Sequence, residues 1–288
     1  MGLLNDSYFW DAIACWTSFS EAQNVKAGQA WCVLCTYTKP ENVKSEETVH
    51  VRLYSSLERD VNIGRHLRPE ETQVVANFLR NWKASFLYEN RSILPEHFMF
   101  VLGSFHVGLI PAAQQAFESP LISPHWMKYL IESDNVPSTN IPIPLGAEFD
   151  TILSQHSEMM LSTSSLPRTS QYLETRISAS TALYRDSHRD KPPIAFCITS
   201  PDRSMAALWV DPTYRGLGLG KLVGRNRLFG KNGMLLVPSS SSSTGLGSTT
   251  KHGLSHADVT ENNTASRRVC EWLGGNIAWN TVWIRVEI

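Results

Sequence analysis

The sequence lacks an excess of charge of either sign, and this absence argues against one class of partner. Among its 288 residues, 26 lysines and arginines stand against 27 aspartates and glutamates, which leaves a formal net charge of -1. A protein that binds a phosphate backbone usually carries a clustered basic excess. We therefore predict no nucleic-acid partner.

The sequence also lacks long apolar runs and has few cysteines. No run approaches the roughly 18 apolar residues that indicate a membrane span, and residues 1–17 lack the basic start and apolar stretch of a signal peptide. We therefore predict a cytoplasmic protein with no membrane partner. The five cysteines, an odd number, argue against a disulfide framework in a chain of this length.

Two of these cysteines, Cys32 and Cys35, have the spacing of a redox motif or of half a zinc site. They lie in a strand-like run without a second pair of ligands, and positions i and i+3 of a strand face opposite sides of a sheet. We interpret them as buried structural thiols and predict no metal site.

The chain does have length and apolar material. Its hydrophobic content of 42% is enough for two cores. A segment rich in Pro, Ser, Thr and Asn, from Ser133 to Gly146, separates them. We predict an N-terminal domain over residues 1–140 and a C-terminal domain over 141–288. The Ser, Thr and Gly run at 239–250 is predicted to be a flexible insertion in the second domain.

Hydrophobic periodicity and turn residues predict an α/β pattern in both halves. In the first half we expect strands at 30–37, 48–54 and 98–103, a helix from Pro69 onward and a second helix at 124–131. In the second half we expect helices at 148–161, 169–178, 219–229 and 264–273, and strands at 181–185, 194–199, 205–210, 257–260 and 281–286.

The segment 207–221 runs from an apolar strand through a glycine-rich turn into a helix. Gly216, Gly218 and Gly220 let backbone N–H groups approach an anion, and a helix N-terminus adds partial positive charge. The segment therefore suits a pyrophosphate. It does not fit a Walker A loop, because Leu222 follows Lys221, and its glycine spacing does not fit a dinucleotide fingerprint.

The pattern Arg215-x-x-Gly218-x-Gly220, preceded by Val210-Asp-Pro-x-Tyr, closely resembles the acyl-CoA motif of the GNAT superfamily of N-acyltransferases. The resemblance implies a GNAT fold, a mixed and mostly antiparallel sheet flanked by helices, with a degenerate GNAT-like domain before it. It also implies that loop amides hold the CoA pyrophosphate, while the preceding strand splays from its neighbour and pairs with pantetheine. The implied cofactor-binding residues are Leu208, Trp209, Val210, Arg215, Gly216, Leu217, Gly218, Leu219, Gly220 and Lys221.

A second segment, 258–275, resembles the later block of the same family, and the layout of 149–288 is similar to its glycine N-acyltransferase-like (FR47-like) branch. Asn263 and Ser266 hold the matching places. The resemblance implies that Asn263 contacts the pantetheine arm. Asn263 also suits the N-cap of a helix that begins at Thr264, and both roles can hold.

The catalytic positions depart from the family pattern. Cys270 stands where many relatives have a Tyr that protonates the departing thiolate, and Ser204 stands where the glycine-acyltransferase branch has a Glu base. We keep Cys270 as a candidate acid, with core packing as its alternative. Asp202, beside Ser204, is a candidate base acting through a water, with a hairpin-turn role as its alternative.

Several other side chains are weaker candidates. Single histidines without partners at metal or triad spacing are usually surface or core residues, and this applies to His156, His252 and His256. Tyr184 and Trp209 either shape an acyl or amine pocket or belong to the core.

We therefore predict an N-acyltransferase that moves an acyl group, expected to be acetyl, from acyl-CoA to the amine of a small molecule by direct attack. Two alternatives stay open: a protein lysine or N-terminal acetyltransferase, and a non-catalytic acyl-CoA-binding protein. The sequence specifies neither the acyl chain, nor the amine, nor the oligomeric state.

Overall fold

The computed structural model describes residues 14–17, 32–36, 48–58, 66–132, 135–137, 141–164, 168–185, 189–200, 204–229 and 254–288. Asp202, His252 and the insertion 239–250 lie outside these residues. The chain divides into two compact units. The first consists of Met1–Lys128 together with Ala278–Ile288, and the second of Tyr129–Ile277. These units divide the chain at other points than residue 140, so the predicted domain assignment stays a prediction.

The elements follow the chain in this order. In the N-terminal part they are β1 (Ala14–Thr17), β2 (Cys32–Thr36), β3 (Thr48–Ser55), α1 (Pro69–Asn90), β4 (Met99–His106), α2 (Ile110–Ala116), β5 (Leu121–Ile122) and β6 (Trp126–Glu132). They continue as β7 (Ala147–Asp150), α3 (Ser157–Thr163), α4 (Ser170–Arg176), β8 (Ser180–Arg185), β9 (Ala195–Thr199), β10 (Met205–Val210), α5 (Leu219–Phe229), β11 (Leu254–Thr260), α6 (Thr264–Trp272) and β12 (Asn276–Glu287).

The first unit is a mixed sheet with α1 packed on it. Its strands lie in the order β1-β2-β3-β4-β12, and β5 also pairs with β12. All these pairs are antiparallel except β3 and β4. Helix α1 starts at Pro69, and the Glu71 carboxylate accepts a hydrogen bond from the Arg68 N–H at 2.9 Å.

The core of this unit joins α1 to residues from both ends of the chain. The Trp82 ring of α1 lies 4.7 Å from the Phe100 ring of β4, centre to centre. Val282, Ile284 and Val286 of β12 belong to the same buried cluster. The C-terminal strand therefore completes the core that the N-terminal half begins.

The second unit is built on a four-stranded antiparallel sheet in the order β10-β9-β8-β7. One of its hydrophobic clusters joins this sheet to α3 and α4 through Ile152, Met160, Leu173, Ala182, Tyr184, Phe196 and Ile198. The predicted fold class, a mixed and mostly antiparallel sheet flanked by helices, is confirmed.

Two predicted helices are wrong. Residues 126–132 form strand β6 instead of a helix at 124–131. Residues 147–150 form strand β7, which pairs with β8, and the helix predicted at 148–161 is reduced to α3, Ser157–Thr163. A short apolar run fits both the helical and the strand period. The strands that pair with these two segments lie far away in the sequence, so tertiary pairing, and not the local pattern, determined their secondary structure. The helices and strands predicted between 169 and 273 agree with the structure to within a few residues.

Candidate functional site

The candidate site lies beside β10 and β11, which are joined at one end and are not paired further along. β10 pairs with β9 on one side, and on the other side a single parallel bridge joins Ser204 to His256. β11 has β6 as its neighbour in the other sheet. Beyond that bridge, no ladder joins β10 to β11 in the stretches 205–210 and 257–260, all of which the structure describes. One edge of β10 is therefore left with main-chain groups that can pair with an extended ligand.

A β-bulge interrupts β10 beside this edge. The register with β9 shifts between Ala206 and Trp209, and Ala207 has φ of 41°. A bulge adds one residue to its strand and re-aims the side chains that follow. Trp209 stacks on Phe196 with ring centres 5.5 Å apart. Leu208 lies on the α5 side, since a β-carbon added at Gly220 would lie 3.9 Å from its Cδ2.

The turn after β10 is fixed by its own side chains. Asp211 caps the 3-10 turn Pro212–Tyr214 and accepts hydrogen bonds from the Thr213 N–H at 2.8 Å and the Thr213 hydroxyl at 2.5 Å. These hydrogen bonds lower the pKa of Asp211. Arg215 folds back, and its Nε donates to the Val210 carbonyl at 3.2 Å. The turn therefore holds the following glycines at the end of the strand.

Two of the loop glycines adopt backbone conformations that other residues rarely take. Gly216 has φ of 85° and Gly218 has φ of 80°. A β-carbon at Gly216 would meet nothing within 4 Å, whereas one at Gly218 would lie 3.3 Å from Ile141 Cγ2. Leu217, between them, has 58% of its surface exposed. The glycines therefore set the course of the loop at a position open to solvent.

The loop ends at the N-terminus of α5, which favours an anion. The Leu222 N–H bonds to the Gly218 carbonyl at 3.1 Å, and the N–H groups of the first helical residues have no acceptor within the helix. Their dipoles add positive potential. The Lys221 Nζ lies 5.3 Å from the centre of the Trp272 ring, which holds a cation beside the same turn.

Gly220 serves packing instead of loop conformation. A β-carbon there would lie 3.4 Å from Val269 Cγ2 of α6 and 3.6 Å from Val210 Cγ2 of β10. The start of α5 therefore sits close to both elements, which aims its first turn at the end of β10.

The structure places Asn263 at the start of α6, where its Oδ1 accepts a hydrogen bond from the Ser266 N–H at 3.1 Å. The N-cap interpretation is therefore confirmed. The side chain is exposed. Contact of Asn263 with a pantetheine arm stays a prediction.

The candidate catalytic groups are less accessible. Cys270 is 3% exposed, and burial raises the pKa of its thiol to about 12. Ser204 is buried at the bridge to His256, which is buried too. A catalytic role for Cys270, Ser204 or Asp202 stays a prediction.

The remaining candidates lie in the cores. Cys32 and Cys35 are buried, as predicted, and burial raises the pKa of the Cys32 thiol to about 12. His156 is buried with its Nε2 3.1 Å from the Arg189 carbonyl oxygen. Tyr184 is buried and accepts from the Leu153 N–H at 3.2 Å, so it is a core residue. No group of three or more His, Cys, Asp or Glu within the described ranges could hold a metal ion.

No signal in the sequence predicted the polar array that links α4 to the start of β10. The Tyr172 hydroxyl of α4 donates to the Ser200 hydroxyl at 3.2 Å. The Ser200 N–H in turn donates to the Ser204 carbonyl at 2.9 Å. This array connects α4 to the residue that forms the bridge to β11.

No family model and no curated protein matches the chain. A solved structure of a Drosophila protein is similar over 98% of this chain and 82% of its own, with 12% identity and a TM-score of 0.55. A GCN5-related N-acetyltransferase from Kribbella flavida is similar over 88% of this chain and 86% of its own, with 12% identity and a TM-score of 0.47. A tandem GNAT protein from the clavulanic acid biosynthesis pathway is similar over 90% of this chain and 82% of its own, with 14% identity and a TM-score of 0.44.

At 12% identity, the likeness to the Drosophila structure is one of fold. Among the helices that the structure describes, none is both long and apolar enough to cross a membrane.

Proposed function

We propose that this chain is an acyl-CoA-dependent N-acyltransferase that moves an acyl group, acetyl in the simplest case, to the amine of a small molecule. One observation carries the proposal: the glycine turn at the start of α5 directly follows β10, and the edge of β10 that faces away from β9 is open beyond the Ser204–His256 bridge. An elongated ligand with an anionic group at one end and amides along its length fits that combination, and acyl-CoA is such a ligand.

The turn supplies the anion site of the proposal. Loop and helix N–H groups between Gly216 and Lys221 receive the pyrophosphate, with Arg215 and Lys221 as the nearby cations. Gly216 and Gly218 allow the close approach, since neither has a side chain and both have positive φ.

The open edge of β10 supplies the place for the pantetheine arm. Main-chain groups beside the bulge pair with the amides of the arm, as an added strand pairs with a sheet edge. Leu208 and Val210 turn toward α5, and Trp209 stacks on Phe196, so these residues hold the strand in place while its backbone binds. An arm that runs back from the turn carries its thioester toward the Ser204–His256 bridge.

The reaction needs little covalent chemistry from the protein. The neutral amine attacks the thioester carbonyl, the new N–C bond forms, the C–S bond breaks, and one amine proton replaces the acyl group on sulfur. Holding the two reactants in line supplies several kcal/mol of the barrier reduction, on the order of 7–11 in favourable cases. Asp202 and Ser204 stay candidates for the base, and Cys270 stays a candidate acid whose burial favours its alternative role in core packing.

Calorimetric titration with acetyl-CoA, longer acyl-CoAs and free CoA tests the proposal, followed by release of free thiol in the presence of an amine panel. We expect binding of all these CoA species and amine-dependent thiol release. Binding without release favours a non-catalytic acyl-CoA-binding protein, and release only with peptide amines favours a protein acetyltransferase. Absence of binding contradicts the proposal.

A pair of variants at one position tests the turn. Gly218→Glu places a carboxylate beside the proposed pyrophosphate site and is expected to abolish binding of CoA. Gly218→Ala is its matched control, since it introduces the same β-carbon and the same strained φ, which costs about 1–2 kcal/mol, without the charge. Equal affinity in the Glu and Ala variants contradicts the placement of the pyrophosphate.

A further inference from the structure

Residues 141–146, which we call the strap, lie on the glycine turn of the proposed CoA site. The strap leads into β7, and its sequence is Ile141-Pro-Ile-Pro-Leu-Gly146. Ile141 Cγ2 and Cδ1 lie 3.3 and 3.8 Å from the position that a β-carbon on Gly218 would occupy. Ile141 is half-buried, and both residues belong to the second unit. Ile141 therefore covers one side of the turn.

The other end of the strap is connected to the same turn through β8. Ala147, the residue after the strap, pairs with Arg185 of β8. The Arg185 Nη1 donates to the Tyr214 hydroxyl at 2.8 Å, and Tyr214 belongs to the 3-10 turn before the glycines. The strap therefore begins at Gly218 and ends at the partner of the residue that binds Tyr214, so both of its ends lie near the turn between β10 and α5.

The strap is stiff along its length and has a permissive residue where it joins β7. Pro142 and Pro144 fix their own φ and favour extended backbone in the residue before each of them. Gly146 has φ of 75°, which glycine adopts without steric strain, and the Ala147 N–H donates to the Pro144 carbonyl at 2.9 Å. A small rotation at Gly146 therefore moves Ile141 as the far end of a stiff segment.

Much of the strap is exposed to solvent. Ile143 has 48% of its surface exposed and Leu145 has 98%, while Leu217 in the turn has 58%. The two prolines have no N–H with which to hold the strap to a neighbour. Segments with few buried contacts and few hydrogen bonds open at low free energy. The contact of Ile141 with the turn is therefore one that the chain can break and form again easily.

We infer that the strap closes over the pyrophosphate group of bound CoA, with Ile141 as the residue that covers it, and that its opening governs the release of CoA. This inference rests on the proposed acyltransferase function. In that proposal, N–H groups between Gly216 and Lys221 bind the pyrophosphate. An apolar side chain over such charge-assisted hydrogen bonds keeps water away and strengthens them. The ligand then leaves when the strap lifts, as it does under a lid.

Replacement of Ile141 tests the inference through the dissociation rate of CoA. Etheno-CoA, a fluorescent CoA analogue, is bound to the full chain and displaced with excess CoA in a stopped-flow instrument. We expect Ile141→Ala to raise the dissociation rate about 4- to 15-fold, as for the loss of one or two buried CH₂ groups. The association rate is expected to change less than about threefold, since substitutions at one interface act mainly on dissociation.

Ile143→Ala is the matched control. It makes the same change in the same strap, again before a proline, at an exposed side chain. We expect its dissociation rate to stay within about twofold of the wild-type rate, as is usual for a surface substitution. An equal rise in the two variants contradicts the role of Ile141, and so does an unchanged rate in Ile141→Ala.

Pantetheine, which lacks the pyrophosphate, shows whether the strap acts on that group. Its affinity is measured by competition with etheno-CoA. We expect the wild type and Ile141→Ala to bind pantetheine equally, because the group that Ile141 covers is missing from this ligand. An equal loss of affinity for pantetheine and CoA contradicts the placement of Ile141 over the pyrophosphate.

Hydrogen exchange followed by mass spectrometry measures the closure itself. The amides of Ile141, Ile143 and Leu145 are expected to exchange more slowly when CoA is bound, and unchanged exchange contradicts closure. These outcomes differ from failure of the proposed function, which shows as absence of CoA binding by the wild-type protein. Binding of CoA with wild-type rates in Ile141→Ala contradicts the role of the strap and leaves the proposed function intact.

Discussion

Glu58 is a carboxyl group whose protonation is coupled to folding. Burial raises the pKa of Glu58 to about 8, although the nearby Lys128 acts in the opposite direction. An unfolded glutamate has a pKa of about 4.3. Between about pH 4.3 and 8 the unfolded chain has therefore lost a proton that the folded chain keeps. The stability that this group contributes is present below that window and is lost as the pH rises through it.

Glu58→Gln should remove this pH dependence, because the amide resembles the protonated acid and does not ionise. We expect the free energy of unfolding of the variant to rise relative to that of the wild type by up to about 1.4 kcal/mol per pH unit between pH 5 and 8. Urea unfolding at four pH values measures it. The exposed Glu118, changed to Gln, is the control and should leave the slope unaltered.

Cys270 is a residue whose two interpretations predict different results. Its burial and its pKa of about 12 describe a neutral thiol inside the core. A proton donor must reach the departing thiolate, and a buried thiol does not. We expect Cys270→Ala to lower the melting temperature and to keep turnover within about twofold, whereas loss of a general acid costs on the order of 100-fold or more.

Cys197→Ala is the control for this prediction. Cys197 is another buried thiol of the same unit, and burial raises its pKa to about 12 as well. Both variants should lose similar stability. A drop in turnover confined to the Cys270 variant assigns that residue to catalysis.

At the scale of single elements, the sequence predicted the helices and strands that have strong local signals. Helix α5 has the predicted bounds because the glycines before it and the apolar spacing within it are local features. Strand β6 was predicted as a helix because its seven residues fit either period. Side-chain contacts near the site were harder to predict, since Tyr172 meets Ser200 only after the chain has formed β8 and β9 between them.

The start of α5 offers a prediction at this scale. A β-carbon at Gly220 would lie at ordinary contact distances from Val269, Val210 and Leu208, the shortest being 3.4 Å. It points into the packing between elements and away from the loop. We expect Gly220→Ala to stabilise the fold by about 0.5–1 kcal/mol, since alanine favours the helix, and to keep CoA affinity within about threefold.

Thermal unfolding and calorimetric titration of the same variant measure both quantities. Gly216→Ala is the comparison, because its φ of 85° is strained for any side chain while nothing lies near its β-carbon. We expect that variant to be destabilised. A tenfold loss of CoA affinity in Gly220→Ala would show that its β-carbon reaches the ligand.

At the scale of the whole molecule, the two units are not consecutive segments of the chain. The last strand leaves the second unit and returns to the first, where Ile284 pairs with Leu102 of β4 and with Ile122 of β5. No local pattern marks this return. The sequence therefore predicted the strand itself, but not the core to which it belongs.

A substitution near the C-terminus should therefore destabilise the N-terminal core. Ile284 is fully buried, and Ile284→Ala is expected to cost about 2–5 kcal/mol of unfolding free energy. Hydrogen exchange followed by mass spectrometry should show faster exchange in α1, in the first unit, while α5 in the second unit stays protected. Arg285→Ala, at the exposed neighbouring position, is the control and should change neither helix. Equally faster exchange in α1 and α5 would mean that the two units unfold together. Faster exchange in α5 alone would contradict the assignment of β12 to the core of the first unit.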